Sequence, residues 1–476
     1  MRGISIFEKA IGLIAAIIFV SLGAFVALDA TVLSDNSAAN NDLYEINSDH
    51  LYLDGRDYVD YAEVCDYDYD KYPILMEQGL FWHTWNESTQ RVVEAPADSA
   101  LGASYVDPEK PTMIFIHGME ASGYHIRNTY WIPDFLDGRN ELNVANEVEE
   151  GNPVSMLYLW LRAGWNVGFF HWERFSSGLG TSFGESPMNN EERIWATDGN
   201  SGTRFVSSDG KGYFDGTEYC IAEHFVAEYI RAMRLLPDTM GDKEIRIQAH
   251  SMGGEVTAAG LFLLTELAHP DVNQLPKKQL PDRYSLIDTY FSMYFYVNGI
   301  PIPMTVNDIT ISWSKKPLPE NGMKDTVIDC LKVFANHGIA MDYYTYNGSA
   351  LKIGLTPSDV ETILQFMCIT DLNIDWASYY PSGGLSQVGW ITANGHVAML
   401  YWAASSKALG DYCVDVTNGI SSGENAPSLY MSNEEIKALA GKYYLISGGK
   451  QTFTCEDDTF TQPGLEVLME GFVLPV

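Results

Sequence analysis

Residues 244–268, EIRIQAHSMGGEVTAAGLFLLTELA, constrain the fold more than any other stretch. An alternating apolar run reads as a buried strand. It stops at the corner His250-Ser251-Met252-Gly253-Gly254, and a run of helix formers follows at once. A strand that runs straight into a helix cannot fold back as a hairpin, so the next strand returns parallel to it. The same alternation recurs on both sides. TMIFIHG and NVGFFHW read as strands, SMLYLWLRAG as a helix stopped by Gly164, and EYCIAEHFVAEYIRAMRLLP as a helix ended by Pro237. RYSLID, IAMDYYTYN and FMCITDLNID read as further strands, with the helix KDTVIDCLKVFANHG among them. Strands alternating with helices predict an α/β fold, a mostly parallel sheet with helices on both faces.

The corner raises a chemical question. A serine hydroxyl is a poor nucleophile until a base takes its proton and donors stabilise the oxyanion that forms. A tight strand-to-helix turn projects the hydroxyl at the C-terminal edge of the sheet, where ligands of open parallel sheets bind. It also puts the next backbone N–H at a helix N-terminus, where negative charge is favoured. The turn is so tight that the residues two before and two after the serine must be small. Here they are Ala249 and Gly253, followed by Gly254. The pattern is G-x-S-x-G with alanine in the first glycine position, and it makes Ser251 the candidate nucleophile. The second oxyanion donor belongs to a loop after an earlier strand. His117 and Gly118 end the strand TMIFI, so the amide of Met119 would pair with that of Met252.

The base must be a histidine oriented by a carboxylate, and on a corner of this kind the acid and then the histidine follow the serine in the chain. His269, His337 and His396 follow Ser251. His269 precedes Pro270 at the end of the helix after the corner, which points it away. His396, in ITANGHVAMLYW beyond the last strand, is the expected base. His337, between a helix and a strand, is the alternative. Asp288 ends the strand RYSLI at the C-terminal edge and is the expected acid. Asp342 sits inside a strand, and Asp371 and Asp375 lie in or after the last one.

These residues resemble the α/β-hydrolase superfamily, and within it the lipases. IHGM, AHSMGG and LID are similar to the oxyanion strand, the elbow and the LDP acid of pancreatic-lipase-like enzymes; this chain has Thr289 where proline is usual. Asn336, His337, Tyr343 and Tyr344 echo the histidine context of those enzymes. A closer likeness is to a group of lipase-like hydrolases of protists and microbes, which share NVGFFHW followed by a phenylalanine (here Phe175), then ERIWATDG, a helix and the elbow. That group ends in an H-x-A step before an aromatic pair, here His396, Ala398, Tyr401 and Trp402. The resemblance covers roughly residues 112–405. It implies a carboxylic ester hydrolase, lipase or esterase, that needs no metal and no organic cofactor. Two other functions stay open: a catalytically silent hydrolase fold used for binding or adhesion, and an acyltransferase or peptidase on the same triad.

Composition narrows the partners. A formal net charge of −34 lacks the basic footprint that nucleic acid requires; a lipid or other ester substrate is what the resemblance implies. Arg2 and Lys9 precede an unbroken apolar run from Ala10 to Leu28. That run is at the upper end for a signal peptide and close to the roughly 20 residues of a spanning helix. Residues 1–30 are therefore a signal peptide or a signal-anchor, the latter a membrane partner if uncleaved. Either sends the chain into the secretory pathway, secreted or anchored with the catalytic part outside the cytosol. Six cysteines without CxxC spacing admit disulfides and disfavour a metal site, and Asn86-Glu87-Ser88 and Asn347-Gly348-Ser349 are glycosylation triplets.

Residues 31–110 are acidic and tyrosine-rich, with GLFWHTWNESTQRVV as a strand or hairpin. Residues 111–405 form the hydrolase domain. Residues 406–476 are a small C-terminal extension with a capping box at Ser432 and Glu435. Directly after the proposed acid, FSMYFYVNGIPIPM (Phe291 to Met304) is nearly all apolar, and its prolines and glycine predict an irregular loop. Its apolar character reads as a wall or lid over an acyl pocket.

Overall fold

This computed structural model describes residues 78–118, 160–176, 187–198, 219–237, 242–291, 310–346, 355–374 and 413–448, short stretches within these ranges excepted, and a few two-residue strand pieces beyond them. Met119, Asn347, Asp375, His396 and residues 1–77 lie outside the described residues.

The core is one eleven-stranded sheet. In chain order its strands are β1 (Gly79–Asn86), β2 (Arg91–Pro96), β3 (Thr112–Ile116), β4 (Asn166–His171), β5 (Ile245–His250), β6 (Arg283–Ile287), β7 (Ala340–Tyr346), β8 (Cys368–Ile374), β9 (Cys413–Asp415), β10 (Ile420–Ser421) and β11 (Tyr443–Gly448). Their spatial order is β10-β9-β11-β8-β7-β6-β5-β3-β4-β1-β2. The stretch from β11 to β4 is parallel throughout. The hairpin β1–β2 is antiparallel at one edge, and β9–β10 at the other. Residues 406–476 thus lend three strands to the common sheet.

The helices longer than four residues are α1 (Pro187–Trp195), α2 (Ile221–Leu235), α3 (Gly253–Leu267), α4 (Lys324–Asn336), α5 (Pro357–Leu364) and α6 (Asn433–Ala438). Strand alternation sorts the side chains cleanly between the two faces. Trp82, Ile114, Ile116, Ile247, Ala249, Tyr284, Leu286, Met341, Tyr343 and Ile369 belong to one large core with α2, α3 and α4. On the other face Ala340 and Cys368 pack with Ile436 of α6. Helices therefore cover both faces, and the fold is α/β. α3 is buried on nearly every side, which explains its apolar composition all round.

The second face also holds a buried polar layer. Arg283 donates through Nε to Asp342 Oδ1 at 3.1 Å and pairs through Nη2 with the other oxygen of that carboxylate. It reaches the carbonyls of Met431 (2.6 Å) and Ser428 (3.0 Å), while Arg246 donates to that of Leu429 and lies over the Trp165 ring. Two arginines thus tie the chain entering α6 to the sheet. The capping box of α6 forms as expected, with Ser432 Oγ accepting from the Glu435 amide.

Two expectations meet the structure differently, and a third lies outside the described residues. The thiols of Cys220, Cys330 and Cys368 are buried and unpaired, so the disulfides that the cysteine count admits do not involve them. Burial lifts all three well above an ordinary thiol pKa. The segment after Asp288 is not wholly irregular, because Tyr296–Val297 pairs antiparallel with Ile300–Pro301. Proline is tolerated there because the ladder is only two strands wide. No helix among the described residues is long and apolar enough to cross a membrane; the apolar run Ala10–Leu28 is not among them.

Candidate active site

β5 ends at His250 in the middle of the sheet, and α3 begins at Gly253. Between them Ser251 has φ 55°, in the left-handed region. A β-carbon makes that region unfavourable by roughly 1–2 kcal/mol, so the surroundings must enforce it. They do. Ser251 N–H continues the ladder by donating to Ile287 O at 3.0 Å, and Ser251 O accepts from Gly254 N–H at 3.0 Å. A β-carbon on Gly253 would come within 2.6 Å of Ile116 O and also strike His117 O. One on Gly254 would meet Thr289 Oγ1 at 2.7 Å. Both glycines are thus sterically required. The carbonyls of the first helical turn are tied down too. Tyr284 OH donates to Gly254 O (2.7 Å), and Thr257 Oγ1 donates to Gly253 O (2.8 Å).

The Met252 N–H has no acceptor among the described residues. It stands at the N-terminus of a fifteen-residue helix, where a partial positive charge collects. A developing anion beside Ser251 would find this donor free.

Asp288 is on the neighbouring strand end at the same level, since His250 is in register with Ile287. Its φ is 41°; among the described residues it and Ser251 are the two non-glycine residues with positive φ. Aspartate tolerates this conformation better than most residues. Its N–H donates to Tyr344 O at 2.6 Å, and Thr345 Oγ1 stands 3.4 Å from its Oδ1. The carboxyl is 1% exposed and Ser251 is 4% exposed.

Thr289 takes the place where proline is usual, and its side chain does local work. Its Oγ1 donates to Ala249 O at 3.4 Å, its methyl faces Gly254, and its carbonyl accepts from Tyr343 OH at 3.1 Å. This role was not legible in sequence; the departure from the usual proline was the available signal.

His117 closes β3 beneath the elbow. Its Nε2 accepts from Trp172 N–H (3.0 Å), its Nδ1 lies 2.7 Å from Gly118 O, and its carbonyl accepts from the Trp172 indole (2.8 Å).

ERIWATDG also finds its place. Arg193 donates to Phe175 O at 2.6 Å, and the Trp195 indole donates to Glu255 Oε2 at 3.0 Å in the first turn of α3. Burial and the nearby Glu191 carboxyl push Glu255 well above the usual carboxylate range.

The structure does not bring His337 to Ser251. His337 caps the C-terminus of α4, with its N–H donating to Val333 O. It precedes Ala340, which is level with Arg283 at the start of β6, whereas Ser251 is level with Asp288 at its end. Five residues of strand at about 3.3 Å each separate the two ends. Among the described residues no group of three His, Cys, Asp or Glu side chains could hold a metal ion.

No family model and no curated protein matches the sequence. Among solved structures, one from work on the metagenome-derived lipolytic enzymes LipS and LipT aligns at 11% identity over 61% of this chain and 94% of its own, with a TM-score of 0.21. So distant a likeness carries no argument; the α/β assignment rests on the strand order and on the helices that cover the two faces of the sheet.

Proposed function

We propose that the protein is a serine hydrolase of carboxylic esters, a lipase or esterase. One observation carries the reading: Ser251 is forced into a positive-φ corner between strand and helix, beside a helix-terminal amide that has no acceptor among the described residues, and level with a buried aspartate. Structural serines have no use for that strain, whereas a nucleophile on a strand-to-helix corner needs its hydroxyl turned off the strand toward the N-terminus of the helix.

In the mechanism His396 takes the Ser251 proton as Oγ attacks the ester carbonyl. The amides of Met252 and Met119 hold the resulting oxyanion. His396 then returns the proton to the departing alkoxide, leaving an acyl-serine that water hydrolyses by the same steps. Asp288 orients the imidazole and balances its charge. His396 is chosen for the H-x-A step and aromatic pair around it, and the position of His337 at the far edge of the sheet favours that choice. The apolar segment Phe291 to Met304 follows the acid directly, as a wall or lid over an acyl chain would.

The test is turnover of p-nitrophenyl esters of graded chain length. Ser251→Ala and His396→Ala should each lose several orders of magnitude, and His337→Ala should stay near wild type. Full turnover by Ser251→Ala would exclude the serine mechanism. Loss in His337→Ala with retention in His396→Ala would reassign the base.

A further inference from the structure

Asn86 ends β1 and pairs with Arg91 across the end of the edge hairpin β1–β2. The turn that follows opens with the triplet Asn86-Glu87-Ser88, in which Asn86 is half-buried and Glu87 and Ser88 are exposed. Asn86 Oδ1 accepts twice from Ser88, from its N–H at 2.9 Å and from its hydroxyl at 2.7 Å. This side-chain turn closes within three residues, so it forms on the chain without help from the sheet. A carboxamide nitrogen is a poor nucleophile, because its lone pair is shared with the carbonyl as in a peptide bond. Two donors on Oδ1 favour negative charge on that oxygen, so a proton leaves Nδ2 more readily.

An Asn-X-Ser triplet at a surface turn of an exported chain is an acceptor for a bulky, solubilising glycan. We infer that Asn86 carries an N-linked oligosaccharide; the inference rests on the export that residues 1–30 imply. In the transfer, a bond forms between Asn86 Nδ2 and C1 of the first sugar of a polyprenyl-pyrophosphate-linked oligosaccharide. The C1–O bond to the pyrophosphate breaks, its electron pair leaves with the phosphate, and the Nδ2 proton goes to a base of the transferring enzyme. The fold leaves room for the product. Leu80 pairs with Phe170, Phe170 with Ile116 and Ile116 with Ala249, so Leu80 is level with Ala249 beside the elbow. β1 runs antiparallel to β4, and Asn86 is six residues beyond Leu80. At about 3.3 Å per residue it stands roughly 20 Å toward the starting end of the parallel strands. Strands β4 and β3 lie between β1 and β5 as well. A glycan on Asn86 therefore leaves the sheet edge that carries Ser251 and Asp288 clear.

The test expresses the full chain in cultured eukaryotic cells, with Asn347→Gln to silence the other triplet. A flexible tail bearing one further acceptor triplet is added at the C-terminus to report entry into the secretory lumen. N-glycosidase digestion in heavy-oxygen water converts each glycosylated asparagine to a labelled aspartate, which peptide mass spectrometry locates. Asn86 should be labelled in this parent chain and in Ser88→Thr, which keeps the hydroxyl. The label at Asn86 should be lost in Ser88→Ala, while the tail stays labelled in all three. An unlabelled Asn86 beside a labelled tail in the parent, or a label that survives Ser88→Ala, would overturn the inference. An unlabelled tail would overturn the export on which it rests, and the inference with it. The hydrolase reading is tested separately by Ser251→Ala and stands or falls independently of these results.

Discussion

β5 and β6 carry polar residues at both ends, and the two ends are built on opposite terms. At the starting end, Arg246 and Arg283 are buried on ordinary backbone with their donors directed to Glu244, Asp342 and the carbonyls of residues 428–431. Burial works against the Arg283 charge, but Asp342 outweighs it and holds the guanidinium protonated. At the finishing end, Ser251 and Asp288 have positive φ, two glycines are sterically obligatory, and an amide at a helix terminus has no acceptor among the described residues. Buried polar groups that hold a structure are satisfied and relaxed. Groups that await a ligand are strained and left open. The contrast separates scaffold from site without reference to any relative.

The largest effect should come from breaking the relaxed end. Asp342→Ala strands the buried Arg283 charge and should cost about 3–5 kcal/mol in urea unfolding. Turnover per folded molecule should be unchanged, since the clamp lies a strand's length from Ser251. A loss well under 1 kcal/mol would mean that the ion pair does not anchor the C-terminal segment.

A pH series sharpens the same contrast at Glu228 of α2. Burial pushes its carboxyl up to about 7, with Arg231 opposing and Asp98 adding to the shift, against an ordinary 4.5. Below pH 4.5 both folded and unfolded states are protonated and nothing is lost. Between 4.5 and 7 the unfolded state ionises while the folded state resists, so stability falls as pH rises, by about 3 kcal/mol in all. Glu228→Gln should remove this fall. Its advantage over wild type should grow from pH 4 to pH 8 and then level off. Parallel stability curves for the two proteins would contradict the assignment.

At the strained end, Gly254→Ala drives a β-carbon into Thr289 and should cost about 1–3 kcal/mol. Activity should fall with it, because Thr289 adjoins Asp288, the proposed acid. Thr289→Ser removes the nearest methyl and should recover part of both losses, a coupling visible in a double-mutant cycle. Additive losses would mean that the two residues do not meet. The smallest effect is a reversal of sign. Glycine is ordinarily less stable than alanine at a fixed position, but Ser251→Gly should exceed Ser251→Ala by roughly 1 kcal/mol, because φ 55° penalises the β-carbon.

Much of the strained end was legible in the sequence, because its constraints are local. Small residues at 249, 253 and 254 and an alternating run before Ser251 specify a corner. Asp288 could be read for the same reason, as the carboxylate at the end of the next strand. The relaxed end was opaque. Arg283, Asp342 and Ser428 are far apart in the chain, and only the strand order brings them together. The anchoring roles of His117 and Thr289 also stayed hidden, since they depend on how strand ends stack rather than on periodicity. His396 is proposed on its motif alone.

The central claim is that the strain at Ser251 serves a nucleophile, and covalent labelling tests it most directly. A fluorophosphonate probe should modify the protein at one site, mapped by peptide mass spectrometry to Ser251. Ser251→Ala should take no label and hydrolyse no ester, while unfolding at the same urea concentration as wild type. A probe that leaves Ser251 unmodified, or a Ser251→Ala variant that still turns over ester, would contradict the account.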